Sequence, residues 1–468
     1  MAVLSGVVDS LYNPRVIPRA VKRGRALPTP VLWLDAAAGN FSNQGQAGNL
    51  LDAQNGSTGG VDTNDVQVLP HNGTNYLYLP GVAGNNVTVP DLAAYTPSTS
   101  LDVRVAVAMD AVSGTQAFIS HYNASGTDRS WLFMYTSTNV TLYLSTNGTT
   151  ASNFSPSVSP TITAGTVTLL RATWTASPAE VKFFQKSTTE GAAADDLAVD
   201  TGWTQVGSTI TASVPAVALA NSAAPLAVGS QSGIDLLAGR VYRVQVRSGG
   251  TTVFDANFTR LTSGGATSFT ESSANAATVT INRATGNARK SVVVTEPTWL
   301  LGVDDRIQVA NHPLLNFAAG AEFSLATVTR FFDSIDSSAS MMRKGTVPVY
   351  DLRFAGGLPQ RGTACTVSDG TNSASGFAGG SNRSPGVRSL AHAARQGTLV
   401  RVGHNGRDAA DTSIATVTGA QTNTESLTLG WTAAANYEMW SGALFRRALS
   451  DGEMRAWAVY HGNTDGAY

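Results

Sequence analysis

A single cysteine, Cys365, stands in 468 residues, so no internal disulfide can brace the fold. Secreted β-proteins with several loops often carry such bridges, and their absence makes synthesis in a reducing cytoplasm the expectation. Charge is also scarce: Asp, Glu, Lys and Arg make up 13% of the chain, about half the usual share. The 31 basic and 32 acidic residues leave a net charge of −1, which supplies no long-range field toward nucleic acid or an anionic membrane. No run reaches the roughly eighteen apolar residues a membrane helix needs. The opening Met1 to Asp9 lacks the basic and apolar regions of a signal peptide. Membrane insertion, nucleic-acid binding and secretion by a cleaved leader are therefore not expected.

The usual catalytic patterns are missing as well. Glycoside hydrolysis uses paired carboxylates roughly 5 to 9 Å apart, and a strand would present them as Glu-x-Asp-x-Glu on one face. The glutamates fall at 180, 190, 271, 296, 322, 425, 438 and 453, too far apart for that spacing. The histidines at 71, 121, 312, 392, 404 and 461 never form His-x-His, which argues against zinc. A Gly-x-Ser-x-Gly elbow is absent, and the glycine-rich run Gly376 to Gly380 does not open a helix as a phosphate cradle would. No enzymatic activity is expected, and no catalytic or cofactor-binding residue is assigned.

What fills the gap is glycine, at 46 residues, with Ser, Thr, Asn and Ala, the composition of many short strands joined by turns. Period-two alternation marks the strands. Leu101, Val103, Val105, Val107 and Met109 form one apolar face, with Asp102 and Arg104 expected outward. Leu170 to Trp174 repeats the pattern with Arg171 and Thr173 outward, and Tyr242 to Arg247 repeats it with Arg243, Gln245 and Arg247 outward. Trp131 to Tyr135 and Val140 to Leu144 read as a hairpin around Thr136 to Asn139. Helical signal waits until Ser450-Asp451-Gly452-Glu453, a capping box followed by the stripe Met454, Trp457 and Ala458.

The organisation is a repeat. Leu79 to Pro90 returns as Leu301 to Val309, and each copy leads into a long alternating strand and, much later, a closing strand. The chain accordingly reads as all-β, with two tandem jelly-roll sandwiches, a β connector and an extended arm. The expected divisions are a basic arm over residues 1–27, a first sandwich over 28–250, a connector over 251–295 and a second sandwich over 296–468. The arm carries Arg15, Arg19, Lys22, Arg23 and Arg25 against Asp9, and its prolines prevent a continuous helix, which suits docking to another subunit.

Leu300 to Val309 resembles the opening of concanavalin A-like, laminin-G-like jelly rolls, and Tyr437 to Met454, with Arg446-Arg447-Ala448-Leu449-Ser450, resembles their last strand and capped helix. The run Val253 to Phe258, Gly265 to Thr270 and Val279 to Ile281 resembles a segment of minor tail proteins from phages that infect actinobacteria. The resemblance implies a virion structural protein near the tail tip, made in a bacterial cytoplasm and touching host-envelope glycan. Capsid decoration or a head fibre stands as the alternative, with a glycoside hydrolase or cellular lectin behind it. Other virion subunits, through the arm, and a homo-oligomer such as a trimer are the implied partners. Sugar binding would use aromatic faces, and Trp131, Tyr135, Tyr143, Trp203 and Trp431 are the candidates. Asp304 and Asp305 can offer oxygens to Ca²⁺, which needs roughly six to eight of them, or can simply bond their own turn.

Overall fold

The computed structural model describes residues 29–56, 66–285, 289–301, 305–332, 339–355, 362–379, 388–405, 407–408, 411–431 and 437–461. The expected arm, residues 1–27, lies outside the described residues. Every ladder among the strand pairs is antiparallel, and the protein is an all-β sandwich fold in two compact units.

One unit is His71–Glu296. Its first sheet runs from one edge as Val292–Val294, Tyr76–Pro80, Ala238–Ser248, Ser100–Met109, Thr168–Ala176, Ala179–Lys186 and Thr204–Ile210, with Thr251–Asn257 pairing the far half of Ala238–Ser248. The second runs as Ser268–Thr270, Thr278–Ile281, Val87–Val89, Leu226–Val228, Thr115–Tyr122, Arg129–Thr136, Asn139–Leu144 and Ser152–Phe154. Between the sheets, Leu101, Val103, Val105, Val107 and Met109 meet Phe118, Trp131, Phe133, Tyr135 and Leu142 in one core, the face their alternation predicts. The predicted hairpin forms, with Thr136 opposite Asn139 and Ser137 at φ 57° in the turn.

The opposite face of the first sheet is covered, although its polar residues read as solvent-facing. Arg104 is fully buried beneath the short helix Ala193–Ala198 and the loop after it. Its guanidinium donates to Asp102 and Asp200, each at 2.6 Å, and to the Leu197 carbonyl at 3.2 Å. Arg243 is buried as well, paired with Asp255 at 2.6 Å. A register shift between Val241 and Arg243 puts Tyr242 out of the core and beside Tyr76, its hydroxyl donating to Glu190. A bulge of this kind reverses the face of one residue, which alternation cannot show.

The other unit joins residues 1–70 to 297–468. Its sheets run as Gln67–Leu69, Thr298–Leu301, Tyr437–Phe445, Phe323–Phe331, Ser389–Gln396, Leu399–His404 and Arg407–Asp408, and as Ala53–Gly56, Arg306–Val309, Leu427–Trp431, Ala339–Lys344, Tyr350–Ala355, Gly362–Ser368 and Ser373–Gly379. Leu32–Asp35 pairs the far half of Tyr437–Phe445, and Thr412–Ser413 pairs Leu399–His404. Apart from Ser268–Thr270 and Thr412–Ser413, which have no counterparts, this repeats the strand order of the first unit, so the sequence repeat is a repeat of topology. Helix Asp451–Tyr460 buries Met454, Trp457 and Ala458 against Phe445, Val328 and Leu390 on the outer face of the first of these sheets. At its start, the Ser450 N–H donates to Glu453 at 2.9 Å, one half of the predicted box.

Two expected boundaries differ from the strand pairing. Residues 32–35, expected to open the first sandwich, complete the second: Leu32 and Leu34 enter its core, and Trp33, between them, packs on Trp457 beneath the helix. Residues 251–295, expected as a connector, complete the first sandwich through Thr251–Asn257, Thr278–Ile281 and Val292–Val294. Edge strands add by backbone hydrogen bonds, which any sequence can supply, so composition does not name the sheet a short strand will join.

Candidate functional site

Of the five predicted aromatics, Trp131 and Tyr135 lie in the core, and Tyr143 and Trp203 are half-buried. Trp131 is fully buried and its indole N–H donates to the Tyr95 carbonyl at 2.9 Å. Tyr135 is 5% exposed in the same core, with its hydroxyl on the Ser137 carbonyl. Tyr143 points to the other face of its sheet, where it packs on Leu132 and Met134. Trp203 is half-buried; its N–H donates to the Val199 carbonyl at 2.9 Å, and its ring lies 5.8 Å from the guanidinium carbons of both Arg104 and Arg171. These cations already occupy its electron-rich surroundings. The Trp431 side chain and Asp304 lie outside what the structure describes, and Asp305 is 2% exposed. Among the described residues no group of three His, Cys, Asp or Glu side chains is placed to hold a metal ion.

A different set of residues gathers on the second unit. In the sheet not covered by the helix, directly opposed residues form one row: Gln54, Gln308, Thr428, Arg343, Asp351, Thr366 and Ser375. Opposed residues of an antiparallel sheet share a face. The neighbours of these residues along each strand, such as Ile307, Leu427, Leu429, Tyr350, Leu352, Cys365 and Val367, fill the core, so the row is the outer face. At the strand spacing of about 4.8 Å, its six steps span roughly 29 Å. The row is held in place: Thr366 and Ser375 hydroxyls bond at 2.7 Å, and the Thr428 hydroxyl donates to the Arg343 carbonyl at 3.2 Å. Burial pushes the Asp351 carboxyl above its ordinary range, against the opposing pull of Ser340 and Arg353.

At one end the row opens into a groove of about 620 Å³ lined by Arg306, Gln308, Gly345, Thr346, Thr424, Glu425, Ser426 and Thr428. Lys344, next in the chain to the lining residue Gly345, lies on the core side of the sheet with Leu427 and Tyr350. The fully buried ammonium donates to Asn311 Oδ1 and Asn423 Oδ1, each at 2.8 Å, and to the Glu425 carbonyl, tying two loops together. Burial pulls its pKa down to about 8, with Glu425 opposing. The Glu425 carboxylate accepts the Thr346 N–H, which lowers its pKa, and Arg343 Nε donates to the Gly345 carbonyl at 2.8 Å. The groove thus offers amide, hydroxyl, guanidinium and carboxylate groups on a rigid sheet, with no aromatic ring among its lining residues. This arrangement can exchange hydrogen bonds with a polyhydroxylated ligand.

Sequence reasoning missed these residues because it sought aromatics. A usable signal was present: Gln308, Thr428 and Asp351 each interrupt an apolar strand at the position that alternation assigns to the outer face.

The fold and groove define a two-sandwich β-protein with a polar sheet face. No protein-family model matches the chain, and no curated protein matches it. Among solved structures, the binding domain of Paraclostridial Mosquitocidal Protein 1 is similar over 37% of this chain and 44% of that one, at 13% identity and TM-score 0.30. The botulinum neurotoxin serotype G binding domain aligns over 42% and 49%, at 12% identity and TM-score 0.31. The serotype D ligand-binding domain, solved with N-acetylneuraminic acid, aligns over 35% and 42%, at 12% identity and TM-score 0.30. The chain spans less than half the length of each.

Proposed function

We propose that the protein is a non-catalytic virion subunit, a minor tail or tail-tip adhesin, whose second sandwich contacts host-envelope glycan through the groove at Arg306, Gln308 and Glu425. The observation that carries the binding reading is the groove itself, where the polar side chains of Arg306, Gln308 and Glu425 are held together at one end of a sheet. The tail assignment rests on the resemblance of residues 253–281 to a segment of phage minor tail proteins. The basic arm, residues 1–27, serves as the attachment to other virion subunits. Weak affinity at each groove suffices, because many copies on a particle raise the effective concentration.

Two measurements test the two parts. Immunogold labelling of phage particles is expected at the tail tip; label over the head would replace the tail reading with capsid decoration. Binding of the purified chain to host-envelope polysaccharide is expected to fall at least about tenfold in Arg306→Ala/Gln308→Ala, about 1.4 kcal/mol, the loss of one or two hydrogen bonds. Unchanged binding in that variant would remove the groove from the proposal.

A further inference from the structure

The two sandwiches are completed by equivalent segments that come from opposite directions along the chain. In the first, Ala238–Ser248 turns at Gly249 and Gly250 into Thr251–Asn257, and the same segment then supplies Thr278–Ile281 to one sheet edge and Val292–Val294 to the other. In the second, the matching strands Leu32–Asp35, Ala53–Gly56 and Gln67–Leu69 take the same three places on Tyr437–Phe445, Arg306–Val309 and Thr298–Leu301. The local chemistry also matches: Leu34-Asp35 and Ala256-Asn257 each put an apolar residue into the core and follow it with a side chain that caps a short 3₁₀ turn, Asp35 accepting the Ala37 N–H at 2.9 Å and Asn257 the Thr259 N–H at 3.1 Å. Each three-strand segment therefore precedes one repeat and completes the other.

The two connections differ in kind. Gly249 and Gly250, at φ 57° and 82°, close the first by a two-residue turn, and such a tether leaves its segment no alternative sheet. The strands of residues 32–69 reach the second sandwich with the whole unit His71–Glu296 lying between them and Thr298 in the chain. Nothing in their pairing distinguishes the sandwich of their own chain from that of another. Backbone hydrogen bonds, Leu32 and Leu34 in the core, and the Trp33 indole N–H on Ser441 Oγ at 3.1 Å are identical in either case. Selection then depends on effective concentration, the condition under which domain swapping occurs.

We propose that the strands Leu32–Asp35, Ala53–Gly56 and Gln67–Leu69 are an exchangeable donor that completes the second sandwich of a second copy of this chain. Repeated head to tail, the exchange makes a ring or an open series of subunits without any new surface. The required interface is the one already formed within the chain.

The test uses two full-length variants, Asp35→Cys and Ser441→Cys, whose positions face each other in the ladder. They are unfolded and refolded together under reducing conditions and then oxidised. Cys365 stays buried, its thiol pushed up to about 12, and does not compete. Disulfide dimers that hold one chain of each variant are expected to exceed both like-with-like dimers, with a dimer-to-monomer ratio rising in proportion to refolding concentration. Mixed dimers no more abundant than like-with-like ones at every concentration would overturn the proposal. Should either variant fail to fold, two differently tagged unmodified chains give the same answer. Co-capture after joint refolding, but not after mixing folded chains, supports exchange. Co-capture after simple mixing, or in neither case, refutes it.

Discussion

Truncating Leu34 to Ala tests the chain's division more directly than any deletion. Leu34 is fully buried in the core of the second sandwich, opposite Gly442, although it precedes the whole first sandwich in sequence. Loss of a buried leucine side chain costs about 2–5 kcal/mol, depending on how far the site collapses. Gly442 leaves little room for collapse from that side, since even a Cβ there would run into Leu429. A loss of about 3 kcal/mol in a unit of this size lowers its melting temperature by roughly 6–12 °C. Differential scanning calorimetry of the full chain reads this, with the excised segment 71–296 used to identify the transition of the first sandwich. The expected result is a shift confined to the other transition. If the transition shared with the excised segment moves instead, residues 32–35 belong to the first sandwich and the pairing described here is wrong.

Asp102→Asn is expected to destabilise the first sandwich by about 1.5–3 kcal/mol in urea unfolding, the loss of a charge-assisted pair, because Arg104 stays buried with Asp200 as its remaining carboxylate partner. Asp255→Ala acts on the same unit through Arg243, and its urea midpoint is expected to fall while that of the second sandwich stays fixed. Acid acts on the second sandwich: burial lowers His392 to about 4 and His461 to about 3, so the unfolded chain, with histidine near 6.5, takes up these protons first. Stability from both groups is present above about pH 6.5 and is lost as pH falls toward 4 and then 3, each histidine contributing a slope of about 1.4 kcal/mol per pH. Calorimetry from pH 7 to 4 is expected to lower that transition, and His392→Gln should flatten the dependence. An unchanged slope in the variant would mean that other groups carry it.

Much of this fold could be read locally. The alternation in Leu101 to Met109 decided which residues are core, since the strand period of two puts apolar side chains on one face whatever surrounds it. Serine and glutamate three apart marked the start of the last helix, and Met454, Trp457 and Ala458 marked its buried side. The candidate site was less legible. Trp131 and Tyr135 share a face with Phe133 in a strand whose other face, Leu132 and Met134, is also apolar, so parity did not say which side held the core. Arg104 and Arg171 alternate with apolar residues as solvent-facing side chains do, yet a helix lies over the first and Trp203 lies beside both.

The sequence by itself determined the all-β class, the repeat, the hairpin at Ser137 and the terminal helix, because each rests on side chains close together along the chain. Only the tertiary structure decided that Leu32–Asp35 joins Tyr437–Phe445, that residues 251–295 complete the first sandwich, and that Gln308, Thr428, Arg343 and Asp351 stand side by side. Edge pairing is made by backbone groups common to every residue, and a cross-strand row is assembled from positions far apart in the chain. Neither leaves a local pattern, so folding alone brings them together.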